Sequence, residues 1–153
     1  RIEIDGQVLR VRRDPAAMDV HLLMPEGVRL SQTDKYDPQP EAMPKRGRYS
    51  DTWHLTAGTV TPALTGQFLS VFLVHRKGAA SGLAKVRVQA GTGAVGVRLT
   101  MADGAEDVVC FRTDAKAERV SCGRLSSDGR VFAEGTDGSG KATRALRIGG
   151  AAR

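Results

Sequence analysis

The chain has 153 residues, 41% of them hydrophobic, and a formal net charge of +6. That length suits one domain with a real core, and no apolar run approaches the ~18 residues a membrane-spanning helix needs. Eighteen glycines, many valines and threonines, and no amphipathic stretch of helical period argue against a βαβ architecture and for an all-β chain.

Taken from the N-terminus, Ile2 to Asp5 and Gln7 to Arg12 alternate around Asp5-Gly6, a strong short-range hairpin signal. Asp14-Pro15 ends that unit. Residues 19–24 are predicted as the next strand, closed by Pro25-Glu26-Gly27, with a short strand at 28–30. Residues 31–51 carry Pro38, Pro40 and Pro44 without apolar periodicity, so they read as a long loop, either functional or disordered. A strand at 52–57 and a turn region containing Pro62 lead to Gln67–Val74, the longest apolar run. Its β-branched and aromatic residues predict a central strand buried on both faces, delivering His75, Arg76 and Lys77 to the surface.

Beyond the small-residue linker 78–82, residues 85–89 and 95–100 alternate cleanly, with Val86 and Val88 on one face. Asp103-Gly104, Asp128-Gly129 and Asp137-Gly138 mark turns between strands at 107–112, 119–123, 130–134 and 143–148. About eleven short strands at spacings near ten residues predict an antiparallel β-sandwich, taken as a single domain over residues 1–153. The start at Arg1 and the lack of a signal pattern read as a domain excised from a larger chain.

From Trp53 to Ala102 there is no acidic residue, while Arg76, Lys77, Lys85, Arg87 and Arg98 fall within that window. If it folds into neighbouring strands, one face is positive and attracts polyanions; the competing reading is that the charges fell this way without consequence. His75, beside two cations at a strand end, suits hydrogen bonding to a carboxylate, sulfate or hydroxyl, whereas His21, inside a strand, reads as structural. Trp53, Tyr36 and Tyr49 could stack on flat faces of a ligand, or Trp53 could be the core aromatic of a sandwich. Lys45, Arg46 and Arg48 would join the positive surface if the long loop folds over the end of the central strand. The candidate substrate-binding residues are therefore Tyr36, Arg46, Arg48, Trp53, His54, His75, Arg76 and Lys77.

Cys110 and Cys122 fall on two strands predicted to be adjacent. Pairing Arg112 with Val120 puts them opposite each other on one face, as a disulfide or as two buried thiols. Without a second pair or a nearby histidine they lack zinc spacing. No nucleophile elbow, phosphate loop or zincin motif occurs, and Gly91-Thr92-Gly93-Ala94-Val95-Gly96 joins two predicted strands rather than opening a helix. Aromatics at 5% of the chain, not interleaved with basic residues, argue against nucleic-acid binding.

Three segments together resemble the C-terminal β-sandwich region of heparinase II/III-like polysaccharide lyases: Asp34 to Glu41 (DKYDPQPE), Asp51 to Ala57 (DTWHLTA) and Phe68 to Arg76 (FLSVFLVHR). The resemblance implies a parent with a helical α/α toroid, absent from this chain, that cleaves uronate-containing polysaccharide by β-elimination. It implies an accessory domain packed against the toroid, with an acidic polysaccharide as ligand and a periplasmic or secreted setting. In that family most catalytic groups come from the toroid. No catalytic position maps onto this sequence, no cofactor is identified in it, and a divalent metal would belong to the parent enzyme. A stand-alone carbohydrate-binding module and a purely structural interaction sandwich are the alternatives.

Overall fold

The computed structural model describes residues 2–33, 54–62, 64–79 and 82–150. Among these the chain forms thirteen strands, all paired antiparallel, and no helix. It divides into two compact units, Arg1–Lys77 and Gly78–Arg153.

The first unit contains β1 (Ile2–Asp5), β2 (Val8–Arg13), β3 (Ala16–Met24), β4 (Arg29–Thr33), β5 (His54–Gly58) and β6 (Leu69–Arg76). Its main sheet runs β1-β2-β3-β6, and β4 pairs with β5 in a separate ribbon. The Asp5-Gly6 signal marks the β1–β2 hairpin, where Asp5 faces Val8 and Gly6 adopts a φ of 58°. The second hairpin turns at Asp14-Pro15, so β3 begins three residues earlier than its alternation suggests. Register places Ile4, Leu9, Val20 and Phe72 in one cross-strand row, and Val8, His21 and Val71 in a row on the opposite face.

The apolar run at 67–74 is not a central strand buried on both faces. β6 is the last strand in the sheet order, with β3 as its only hydrogen-bonded neighbour among the described residues. Val71 is buried, but Phe72 is 61% and Val74 73% exposed. On β3, Phe72 lies opposite the buried Val20 and Val74 opposite Met18, and among the described residues no strand pairs with β6 on its other side. The run's composition fixed it as a strand, but hydrophobicity alone does not separate a sheet's middle from its edge.

The second unit contains β7 (Leu83–Gly91), β8 (Ala94–Met101), β9 (Glu106–Arg112), β10 (Val120–Cys122), β11 (Leu125–Ser127), β12 (Val131–Thr136) and β13 (Ala142–Ile148). The five-stranded sheet is ordered β13-β12-β9-β8-β7, and β10 pairs with β11 as a short ribbon. Val120 and Cys122 of the ribbon pack on Ala94, Val108, Cys110 and Phe132 of the sheet, closing a two-layered core in which Val108 and both cysteines have no exposed surface.

Cys110 and Cys122 form a disulfide, with a Cα–Cα separation of 6.1 Å. The two cysteines do not meet as neighbours in one sheet, however. β9 does not pair with β10; it pairs with β8 and β12, and Cys110 lies opposite Gly96 and Phe132. The bond therefore joins the ribbon to the sheet across the core instead of two neighbours within one sheet. Glycine permits this closeness. A Cβ on Gly96 would collide with the Val109 carbonyl and approach Cys110 Sγ, and one on Gly91 would overlap the Ser121 carbonyl of the ribbon.

Candidate functional site

The end of β6 gathers three of the residues singled out from the sequence. His75 and Arg76 close the strand and Lys77 follows it, beside the β2–β3 hairpin. Antiparallel pairing puts Arg12, Ala17 and His75 in one row, with Asp19 two residues along β3 on the same face. Asp19 is the hub of this cluster. Arg12 Nη1 lies 2.7 Å from its Oδ1, and His75 Nε2 lies 3.3 Å from its Oδ2. His75 Nδ1 faces the Arg76 carbonyl oxygen at 3.0 Å. Both imidazole nitrogens thus face oxygens of the protein, so the ring braces the strand end and presents no nitrogen for proton transfer to a ligand. Lys77 is tied to the same hairpin. Its backbone N–H donates to the Pro15 carbonyl at 2.9 Å, and its Nζ donates to Asp14 Oδ2 at 2.8 Å.

Burial alone would raise the Asp19 carboxyl, but hydrogen bonds and charge from Arg12 and then His75 outweigh it and hold the group below its ordinary value. Burial pushes the His21 imidazole down; Asp19 opposes that and Arg10 reinforces it. Both shifts act alike on acidification. The Asp19 contribution is complete above its unfolded value of 3.8 and is lost as pH falls through the lower folded value. A depressed His21 disfavours the folded state once pH drops below the imidazole's reference value of 6.5. Stability of the Arg1–Lys77 unit is therefore expected to fall from about pH 7 to about pH 3, and Asp19→Asn is expected to flatten the lower part of that curve. Urea unfolding followed across this range checks it. An unchanged dependence below about pH 4 in the variant would contradict the assignment of Asp19 as the hub.

Of the remaining candidates, His54 opens β5 in the β4–β5 ribbon. Tyr36, Arg46, Arg48, Tyr49 and Trp53 lie outside the described residues. The window free of acids in sequence is not free of them in space. Asp14 and Asp19 meet Lys77 and His75, and Glu106 lies 3.7 Å from Arg98. Arg76, Lys85 and Arg87 have no ion-pair partner among the described residues, so they carry the exposed positive charge of that window. Asp14 and Asp19 lie outside that window along the chain and reach it only through the fold. The β3–β6 register was the missing signal.

A second polar centre, also not anticipated, lies in the Gly78–Arg153 unit. All donor groups of the Arg112 guanidinium point to backbone carbonyls. Nε donates to Gly129 at 3.3 Å, Nη1 to Asp114 at 3.4 Å and to Ala117, and Nη2 to Glu118 at 3.4 Å and Asp128 at 2.8 Å. One side chain thereby ties the loop after β9 to the turn before β12. Nothing in the order of residues 112–130 marks this, because carbonyl acceptors are common to every residue type.

Among the described residues no three His, Cys, Asp or Glu side chains cluster as a metal site, and no helix is long and apolar enough to cross a membrane. The geometry defines an all-β protein of antiparallel sheets. No protein-family model matches the chain, and no curated protein or solved structure matches it at a significant level.

Proposed function

We propose that this chain is the accessory β region of a polysaccharide lyase of the heparinase II/III-like kind, and that it contacts an acidic glycan without performing the elimination. The observation that carries this reading is the end of β6, where exposed Arg76 lies between the braced His75 and the paired Lys77, within a chain of net charge +6. A cation on a fixed strand end suits a carboxylate or sulfate of a uronate polymer better than a neutral sugar. The resemblance of residues 34–41, 51–57 and 68–76 to that family supports the same direction. β-Elimination needs a base positioned at the proton α to the uronate carboxylate and an acid at the leaving oxygen. The Asp19–His75 pair offers neither, since its ring nitrogens are engaged within the protein.

The purified chain is therefore expected to show no lyase activity on alginate, heparin or heparan sulfate. Absorbance from an unsaturated uronate appearing in proportion to protein would overturn the accessory reading. Exposed Phe72 and Val74 on β6, with Phe68 just before it, favour a competing reading, a protein-interaction module, because an apolar edge strand is a template for pairing. Concentration-independent monomeric behaviour by sedimentation, with saturable glycan binding, separates the glycan reading from self-pairing along this edge.

A further inference from the structure

We propose that the Gly78–Arg153 unit carries an oxyanion-binding site, for a carboxylate or sulfate borne by a small polar ligand, in the cavity where β9 ends, β12 begins and β13 ends. The cavity measures about 390 Å³, and its lining includes Arg112, Thr113, Asp128, Arg130 and Gly149. That volume lies in the range that holds a monosaccharide-sized ligand.

The sheet register puts two guanidinium groups on one side of this cavity. Arg112 N–H donates to the Arg130 carbonyl at 2.9 Å, and Arg130 N–H donates to the Gly149 carbonyl at 2.7 Å. Residues directly opposite in an antiparallel sheet project to the same face, so the Arg112 and Arg130 side chains lie on the same face. Their roles differ. Arg112 is half-buried and spends its donors on carbonyls, which satisfies its hydrogen bonds without cancelling its charge. It supplies a positive field and no contact. Arg130 is exposed, and its guanidinium has no acceptor among the described residues. Its Nε lies over Gly149, where a Cβ would come within 2.9 Å, and Gly149 also has a φ of +61°, a backbone that favours glycine. The close approach seats the Arg130 fork at the cavity wall.

Asp128, the acidic side chain in the lining, does not neutralise this pair. Asp128 Oδ1 accepts from Arg147 Nη1 at 2.8 Å, so its charge is already matched. Two like charges with no acidic side-chain partner among the described residues favour an anion between or beside them. Thr113 adds a hydroxyl that can donate to the same oxygen atoms. A carboxylate or a tetrahedral anion fits the fork of Arg130 in two parallel hydrogen bonds. This site lies in the other unit from the end of β6 and does not depend on the glycan reading.

The test is a titration of the full chain, isotope-labelled, with sulfate, inorganic phosphate and glucuronate at constant ionic strength, followed by amide chemical shifts. Saturable shifts are expected at Thr113, Arg130, Gly149 and Gly150. Arg130→Ala is expected to weaken binding about tenfold, the loss of a charge-assisted contact. Arg130→Lys is expected to fall between the two, because it keeps the charge and loses the fork. Lys141→Ala on the β12–β13 turn is expected to change nothing, and Arg76→Ala with Lys77→Ala likewise leaves this affinity intact. Glucuronate binding at least as tightly as sulfate assigns a sugar carboxylate, and tighter sulfate or phosphate restricts the site to bare tetrahedral anions; either upholds the oxyanion site. Shifts that rise linearly and spread over the surface cations, or wild-type affinity in a folded Arg130→Ala variant, would overturn it.

Discussion

Replacing Cys110 and Cys122 together by alanine is expected to lower the stability of the Gly78–Arg153 unit by about 3 kcal/mol, the chain-entropy value for a loop of this length. The cysteines are 12 residues apart and tie the β10–β11 ribbon to the sheet. Without the bond, the unfolded chain gains the freedom that the closed loop denied it. The ribbon also contributes only two short strands, which make no stable structure alone. It depends on Val120 and Cys122 seated against Val108, Cys110 and Phe132. The melting temperature of this unit is therefore expected to drop by more than about 10 °C. A double variant that melts within about 2 °C of the wild type would show that the ribbon is held by packing alone.

Arg112→Ala is expected to destabilise the same unit by roughly 3 kcal/mol, the weight of one or two good charge-assisted hydrogen bonds. The substitution strips the carbonyls of Asp114, Ala117, Glu118, Gly129 and Asp128 of their common donor at once. Water reaches some of these carbonyls and limits the loss, because Asp114 and Glu118 are exposed, whereas Gly129 is buried. Arg112→Lys gives the sharper test. An ammonium keeps the charge but has three donors diverging from one atom, so it cannot span carbonyls on both the loop and the turn. It is expected to recover less than half of the stability, read from denaturant midpoints at constant slope. Full recovery by lysine would mean that charge, not the fork, holds the loop.

Legibility of the fold in the sequence followed the range of each interaction. Asp5-Gly6 and the alternation around Val86 and Val88 are set by neighbours in the chain, and both stand in the structure as a hairpin and a paired strand. The run ending at Val74 shows the limit. Its β character was plain, but its place at the sheet edge depends on β3 arriving beside it from about fifty residues upstream, which no local pattern encodes. The cysteines show an intermediate case. That the two could meet was readable, but not how: β10 pairs with β11 as a separate ribbon, and β12 rather than β10 takes the place beside β9. For the candidate site, the cations were visible as residues and their acidic partners were not. Asp19 meets His75 only through the β3–β6 register, and Asp14 meets Lys77 only because the Asp14-Pro15 turn lies against the end of β6.

That pairing sharpens what removal of the β6 cations does. Arg76→Ala deletes one exposed charge. Lys77→Ala deletes another and leaves the Asp14 carboxylate unmatched beside it, so each change lowers the local charge by one, and the second also leaves an exposed negative group at the site. Neither change is expected to move the melting temperature by more than about 2 °C, since exposed ion pairs contribute little to stability.

The central claim, that the chain holds an acidic glycan by charge at the end of β6, is tested most directly by titrating heparin and alginate oligosaccharides into the wild type and the Arg76→Ala, Lys77→Ala and double variants at low and at physiological salt. Binding is predicted to weaken steeply as the Debye length shrinks to about 8 Å at physiological ionic strength. The double variant is predicted to bind more weakly than either single variant while melting as the wild type does. Absence of binding at low salt, or a double variant that binds as the wild type does, would contradict the claim.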